Sequence, residues 1–441
     1  AGDLLEPLDG VDAEAAEERD ESAGKPGELT VTARLLASEP PIAAKADIPP
    51  LENIQAISVL PAELLSDQGI RRIGEALFNV AGVSRSHIYG FFDGSNIRGF
   101  NASSGATYLD GLLDDTGYGT SEITALERVE VVKGPASGLF GQGPISGLVN
   151  LVSKRPREDA FLDVGIAGGS YNFKELTIDA NTPLNTSKTL FARIAPAYRD
   201  QDFFVDYSGQ RRIFIAPALM WKPNDRTSLT LLARYVDDHI NPWSPTTAYG
   251  TALPNPNGPV SIKLSINDGV YPAVQNNDYW SVGYVVDQKF NDSFAIHQSL
   301  RYQDFHNSWD NWLFVTGISA DFRRVRRAFY GPYDQNGKYF RVDTHATARF
   351  DTGPFNHYVM AGIDYGRRSA SDTNLYDSSQ PYELDLYEPV YGVLSTHNPA
   401  VPFTTYATVT KQRGFYVQDH IKLGDLLTVT LGGRWDNAIS R

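Results

Sequence analysis

The side chains best equipped for chemistry in this chain are aromatic and cationic. Arg85, Tyr89, Phe91 and Phe92 fall in one short stretch and Tyr118 in another, setting a cation among aromatic faces. Catalytic patterns are missing. There is no HExxH, no GxSxG and no Walker A motif, and the glycine-rich 138–147 lacks the Gly-Lys-Ser/Thr ending a phosphate loop needs. The eight histidines, at 88, 239, 297, 306, 345, 357, 397 and 420, have no metal-ligand spacing, and there is no cysteine. Neighbouring carboxylates, Asp114-Asp115 and Asp237-Asp238, lie in loop-like sequence, where solvation explains them. The expectation is a protein with no catalytic residues, no metal site and no cofactor, and so not an enzyme.

The elements that must position such residues are read from composition and pattern. At 441 residues the chain is too long for one ordinary domain. No run of 18 apolar residues occurs, which excludes transmembrane helices but not a barrel, whose hydrophobicity is hidden in alternation. Aromatics reach 12%, with 38 Gly and 26 Pro, a balance suited to strands and turns. The net charge of −14 argues against nucleic acid as a partner. Residues 1–28 hold ten acidic groups against two basic ones, the composition of a flexible leg, and the start at Ala1 is compatible with a signal-cleaved protein.

Three regions are expected: a leg over 1–50, a compact mixed α/β domain over 51–156, and a β-rich region over 157–441. In the second, 54–59 reads as a strand. Ser66-Asp67 can cap a helix carrying Ile70, Ile73, Ala76, Leu77 and Val80, stopped by Gly82. Five glycines (134, 138, 141, 143 and 147) crowd the end of the domain and permit close backbone approach. Beyond it, strands alternate: Leu229, Leu231, Ala233 and Tyr235 share one face, Thr230 and Arg234 the other. Apolar outside and polar inside is what a membrane barrel needs. Strands are expected at 161–167, 173–180, 190–198, 212–221, 228–236, 280–290, 294–303, 339–350, 357–365, 414–423 and 426–436, eleven in all. Tight turns alternate with long polar connections at about 199–210, 237–278, 305–338 and 367–410, the rhythm of periplasmic turns and extracellular loops.

The ordered pieces Asn96-Ile97-Arg98-Gly99-Phe100, Tyr108-Leu109-Asp110-Gly111, Leu126 through Lys133-Gly134-Pro135, Leu139-Phe140-Gly141 and Gly147-Leu148-Val149-Asn150 resemble the plug of TonB-dependent outer-membrane receptors. The branch resembled is the ferric-siderophore, ferrichrome-type one. Gly414-Phe415-Tyr416-Val417-Gln418-Asp419, followed by Leu431-Gly432-Gly433-Arg434-Trp435-Asp436, is similar to the mid-barrel of the same family. Ile145-Ser146-Gly147 departs from the family's Pro-Gly-Gly, and Phe140 stands for a common Tyr.

The resemblance implies a mainly β fold, an N-terminal plug followed by an antiparallel transmembrane barrel, with about 11 of 22 strands in this chain. It implies active uptake of a ferric siderophore at the outer membrane of a Gram-negative bacterium, with iron present only as part of that ligand. Glu28, Leu29, Thr30, Val31, Thr32 and Ala33 resemble a TonB box, which binds TonB by adding a strand to its sheet. Arg98 and Lys133 are similar to plug cations that pair with late-strand barrel glutamates. Arg85, Tyr89, Phe91, Phe92 and Tyr118 become ligand candidates on apical loops, since aromatic walls and a cation suit large oxygen-rich chelates; loop packing explains any one of them equally well. Trp243, Tyr249, Trp309, Trp312 and Phe314 are further candidates, with girdle positions as the alternative. Haem, cobalamin, another metal chelate or a glycan as cargo, or a passive porin, are the competing readings.

Overall fold

The computed structural model describes residues 41–48, 53, 55–85, 94–102, 105–114, 121–141, 143, 145–392, 404–424 and 426–441. Two bodies of β structure result, one inside the curve of the other.

The inner body is built on β1 (Ala56–Pro61), β2 (Val83–Arg85), β3 (Ser95–Ile97), β4 (Phe100–Asn101), β5 (Thr107–Leu109), β6 (Leu112–Leu113), β7 (Leu126–Lys133) and β8 (Gly147–Ser153). Its main sheet runs β1-β7-β8-β5-β6, and β2-β3-β4 form a smaller one. β8 is buried along nearly its whole length and β7 from Val129 to Val132, because both faces are covered there; Val129, Val131 and Leu151 are fully buried. Short helices α1 (Ala62–Asp67) and α2 (Ile73–Ala76) pack Leu65 and Ile73 on this core, and α3 (Ser137–Phe140) lies between β7 and β8.

Two local expectations shift. The strand expected at 54–59 is β1, placed at Ala56–Pro61. Ser66-Asp67 close α1 instead of capping a long helix, because the chain turns at Gly69 with φ +61°. The apolar spacing survives across the break: Ile73, Ala76, Leu77 and Val80 still share the core.

The outer body is a wall of antiparallel strands: β9 (Phe161–Gly168), β10 (Lys174–Pro183), β11 (Leu190–Ile194), β12 (Ala197–Asp202), β13 (Gly209–Ile215), β14 (Pro217–Asn224), β15 (Thr227–Asn241), β16 (Val274–Lys289), β17 (Phe294–Asp310), β18 (Trp312–Ile318), β19 (Arg324–Thr352), β20 (Phe355–Asp385), β21 (Thr404–Leu423) and β22 (Leu427–Ser440). β10 pairs with both β11 and β12, and β15 with both β13 and β14, so each of these doublets is one strand interrupted once. The interruptions fall at Pro196 and just before Pro217, residues with no amide to give the ladder. Counted so, and with β18 folded back on β19, the described wall has the eleven strands expected.

The connections expected at 305–338 and 367–410 are largely strand. β19 and β20 run 29 and 31 residues and stay paired from Thr352↔Phe355 out to Arg324↔Asp385, with register shifts between Arg327 and Phe329 and between Tyr330 and Tyr333. About ten residues suffice to cross a bilayer, so these strands project far beyond it. Polar residues on both faces of the projecting part leave no alternation to read.

The wall is apolar outside and charged inside. Trp221, Trp280 and Trp435 are 48%, 43% and 57% exposed, whereas Arg199 and Arg212 are 3% and 2% exposed. A soluble domain reverses this, and a lipid-facing wall around a filled lumen requires it. No helix among the described residues is long and apolar enough to cross a membrane.

Candidate functional site: the seam between plug and wall

The functional region assembled by the fold is the seam where the inner body meets the wall. Period-two alternation sends every second side chain of the wall strands inward, and at several inward positions that residue is arginine, among them Arg193, Arg199, Arg212, Arg234 and Arg301. Each meets a group on the plug.

In the upper seam, Glu122 precedes β7 and is buried. Arg199 donates to both its carboxylate oxygens at 3.3 Å, and Arg212 donates to Oε2 at 3.3 Å. The Thr124 amide and hydroxyl add bonds at 3.3 and 3.2 Å. The two arginines are also tied within the wall, Arg199 to Glu175 and Arg212 to Asp238, at 2.7 and 2.6 Å. Burial by itself would push the Glu122 carboxyl up; the Arg199 and Arg212 guanidiniums and the Thr124 amide outweigh it and hold it below the usual carboxylate range. Close by, Asp114 receives Arg234 at 3.4 Å and lies 3.7 Å from Arg301. Arg301 also donates to the carbonyls of Leu109, Leu112 and Leu113 at 3.0, 3.3 and 2.8 Å, pinning the β5–β6 turn to the wall. Further down, Arg193 and Arg157 both engage Glu127, and Arg193 and Lys154 share Asp179.

Two of the carboxylates read from sequence as solvated, Asp114 and Asp238, are therefore buried and paired. Asp114 is 6% exposed and Asp238 is 1% exposed. Their partners lie far away in sequence, so adjacency to Asp115 and Asp237 misled. The missed signal was the arginine on the inward face of successive strands, visible once register is known.

In the lower seam, Glu130 of β7 is fully buried and accepts four bonds: the amides of Ile42 and Ala43 at 3.0 and 2.8 Å, Arg128 Nε at 2.8 Å and Asn150 Nδ2 at 2.9 Å. Asn150 accepts the Gly111 amide at 2.9 Å. Arg434 of β22 donates to the Leu139 carbonyl at 3.0 Å and pairs with Asp364 at 2.6 Å. It passes so close to Gly141 that a Cβ there would stand 2.7 Å from Nη2. Gly147 is stricter: φ is +127°, and a Cβ would stand 2.0 Å from the Val132 carbonyl oxygen.

The other residues singled out by sequence are placed as follows. Arg98 and Gly99 have φ of +53° and +82° in the β3–β4 turn, and Phe100 is exposed. Gly134, at φ +107°, and exposed Pro135 follow Lys133 at the end of β7. Among the described residues neither Arg98 nor Lys133 has an ion-pair partner; the cations that bridge plug and wall are mostly on the wall instead. Arg85 ends β2, with its side chain outside the described residues. Residues 28–33, Tyr89, Phe91, Phe92 and Tyr118 also lie outside them. Trp309 and Trp312 pack edge to face at 4.9 Å beside Trp243, Phe314 and Tyr333, and Trp312 Nε1 donates to Ser244 at 2.7 Å. They form the core of an external loop cluster and not a lipid girdle. Tyr249 packs against Phe322 at 4.6 Å in the same set of loops.

Residues 49–148 match the model of the TonB-dependent Receptor Plug Domain, and residues 218–439 match that of the TonB dependent receptor-like beta-barrel. The ferrichrome outer membrane transporter/phage receptor of Escherichia coli K12 is 31% identical over 468 aligned positions, covering 97% of this chain and 60% of that protein. The ferrioxamine B receptor of Salmonella typhimurium is 29% identical, covering 89% of this chain and 56% of that protein. The crystal structure of the siderophore receptor PiuA from Acinetobacter baumannii superposes with a TM-score of 0.77 at 20% identity, covering 92% of this chain and 60% of that one, a likeness of fold. The chain thus spans about 60% of the length of the relatives it matches.

Proposed function

The chain belongs to the TonB-dependent receptor family of the outer membrane, and from that membership we propose that it serves active uptake of a ferric siderophore energised through TonB. The observation that carries the reading is the filled lumen. A plug tied to the wall through buried Glu122 and Asp114 blocks diffusion, so cargo passes only if work is done on the plug. A passive pore has no use for such a seam. The siderophore class is supported by what the ferrichrome and ferrioxamine B relatives are named for. No bond is made or broken in the cargo; the protein binds, holds and releases.

In this reading Glu28, Leu29, Thr30, Val31, Thr32 and Ala33 pair with TonB as an added strand. Arg85, Tyr89, Phe91, Phe92 and Tyr118 meet the chelate from the plug's apical side. Arg98, Gly99, Phe100, Lys133, Gly134, Pro135, Gly141, Gly147 and Asn150 shape the plug and its close approaches. The domain limits follow: leg 1–50, plug 51–156, barrel wall 157–441.

The test is uptake of a panel of labelled ferric chelates by iron-starved cells carrying the full-length gene product. The expected result is uptake of at least one ferric siderophore, abolished by deleting TonB and by Val31→Pro, which removes a ladder donor. Uptake of haem, cobalamin or another metal chelate alone replaces the cargo, and uptake indifferent to TonB overturns the mechanism.

A further inference from the structure

Residues 41–48, between the leg and β1, are held far more firmly than a tether requires. A single 3-10 turn, Ile42–Ala44, is followed by Lys45 in the left-handed region at φ +53°. A residue with a Cβ adopts that conformation at a cost, which contacts elsewhere must offset. What holds it is a seat on the wall. The Lys45 ammonium donates to Asp343 Oδ2 at 2.6 Å, to the Leu139 carbonyl at 3.2 Å and to Tyr416 Oη at 3.3 Å, so all three of its protons are used. The rings of Tyr416 and Phe140 lie 4.4 and 4.9 Å from it. Asp343 is braced in turn: Tyr416 Oη donates to it at 2.9 Å and His345 Nδ1 stands 3.1 Å away. The Lys45 and Asp343 side chains are 7% and 5% exposed. Two residues on, Asp47 pairs with Arg349 at 2.8 Å and its amide donates to Tyr358 Oη at 2.9 Å.

The order of these anchors along the chain sets a load path. Tension applied to the leg first meets the Ile42 and Ala43 amides on Glu130, next Lys45 on Asp343, next Asp47 on Arg349. It reaches edge strand β1 along the chain only after all three have parted. Two of the three anchors are on the wall, which the membrane holds still. We propose that Lys45, seated on Asp343 and Tyr416, is a force latch that carries tension on the leg to the wall and keeps the plug closed until a pull extracts it. This rests on the reading that the leg is pulled.

The test is a constant-force pull on the leg of the full-length receptor in a lipid bilayer, from an N-terminal tag, with cargo affinity measured alongside. Lys45→Met keeps the stem and removes the charge. The extension that follows release of the Ile42 and Ala43 amides is expected to come about tenfold sooner or more, the scale of one or two charge-assisted hydrogen bonds, with cargo affinity unchanged. Asp343→Asn should act the same way and serves if Lys45→Met does not insert. A second extension as slow as the parent's, or an affinity that falls with it, overturns the latch, as does failure of both variants to assemble. Because the pull is applied directly, the result stands or falls separately from any dependence of uptake on TonB.

Discussion

The upper and lower seams hold the same plug in the same wall, but at Lys45 the lower seam reverses the polarity of the upper one. Above, the cations belong to the wall and the carboxylates, Glu122 and Asp114, to the plug, with two arginines assigned to each. Below, the chief cation is Lys45, on the segment leading to the leg, and its carboxylate, Asp343, is on the wall. Arginine suits the first role, because a planar fork can serve a plug acid and a wall acid at once and cross-link the two bodies. Lysine suits the second, because a compact ammonium on a flexible stem can be withdrawn along its own axis. The comparison teaches that the plug is braced broadly where it faces outward and pinned narrowly where it is to be pulled.

The largest effect that would break this comparison is expected at Glu122. Glu122→Ala leaves Arg199 and Arg212 facing each other, with only Glu175 and Asp238 to offset them. A loss of about 3–5 kcal/mol is expected, as for other broken buried pairs. Plug resistance to protease, read against urea for the full-length receptor in detergent, checks it. A change under about 1 kcal/mol would mean the upper seam is ornamental.

A smaller effect is expected at Glu130, the plug's contact with the leg segment. Glu130→Gln turns one acceptor into a donor facing the Ile42 and Ala43 amides and Arg128, at a cost of about 1–3 kcal/mol. Hydrogen exchange should show the loss centred on the amides of 42–48, with the β7–β8 ladder retained. Equal loss throughout the plug would erase the distinction between the seams.

The smallest is a pH dependence. Because the Glu122 carboxyl is held below its unfolded range, its contribution is complete above about pH 4.3 and is lost as pH falls through the depressed folded-state value. Acid titration of plug stability should therefore show a limb below the ordinary glutamate range that flattens in Glu122→Gln. Coincident curves for the two proteins would reject the assignment.

By itself the sequence determined the class of the protein and much of its plan. Alternation in segments such as 229–236 required one polar and one apolar face, and eleven such segments follow from local pattern because side-chain direction in a strand depends on parity alone. The glycines at 141 and 147 announced close approaches before it was known what approached; the structure supplies Arg434 and the Val132 carbonyl. Tertiary structure alone decided the partners. Glu122 meets Arg212 across 90 residues of chain and Lys45 meets Asp343 across 298, separations at which no local pattern survives. It also decided that Asp114 and Asp238 are buried, that the polar outer halves of β19 and β20 are strand, and that the loop tryptophans pack on one another. Each depends on register between distant strands, and register is a property of the assembled sheet.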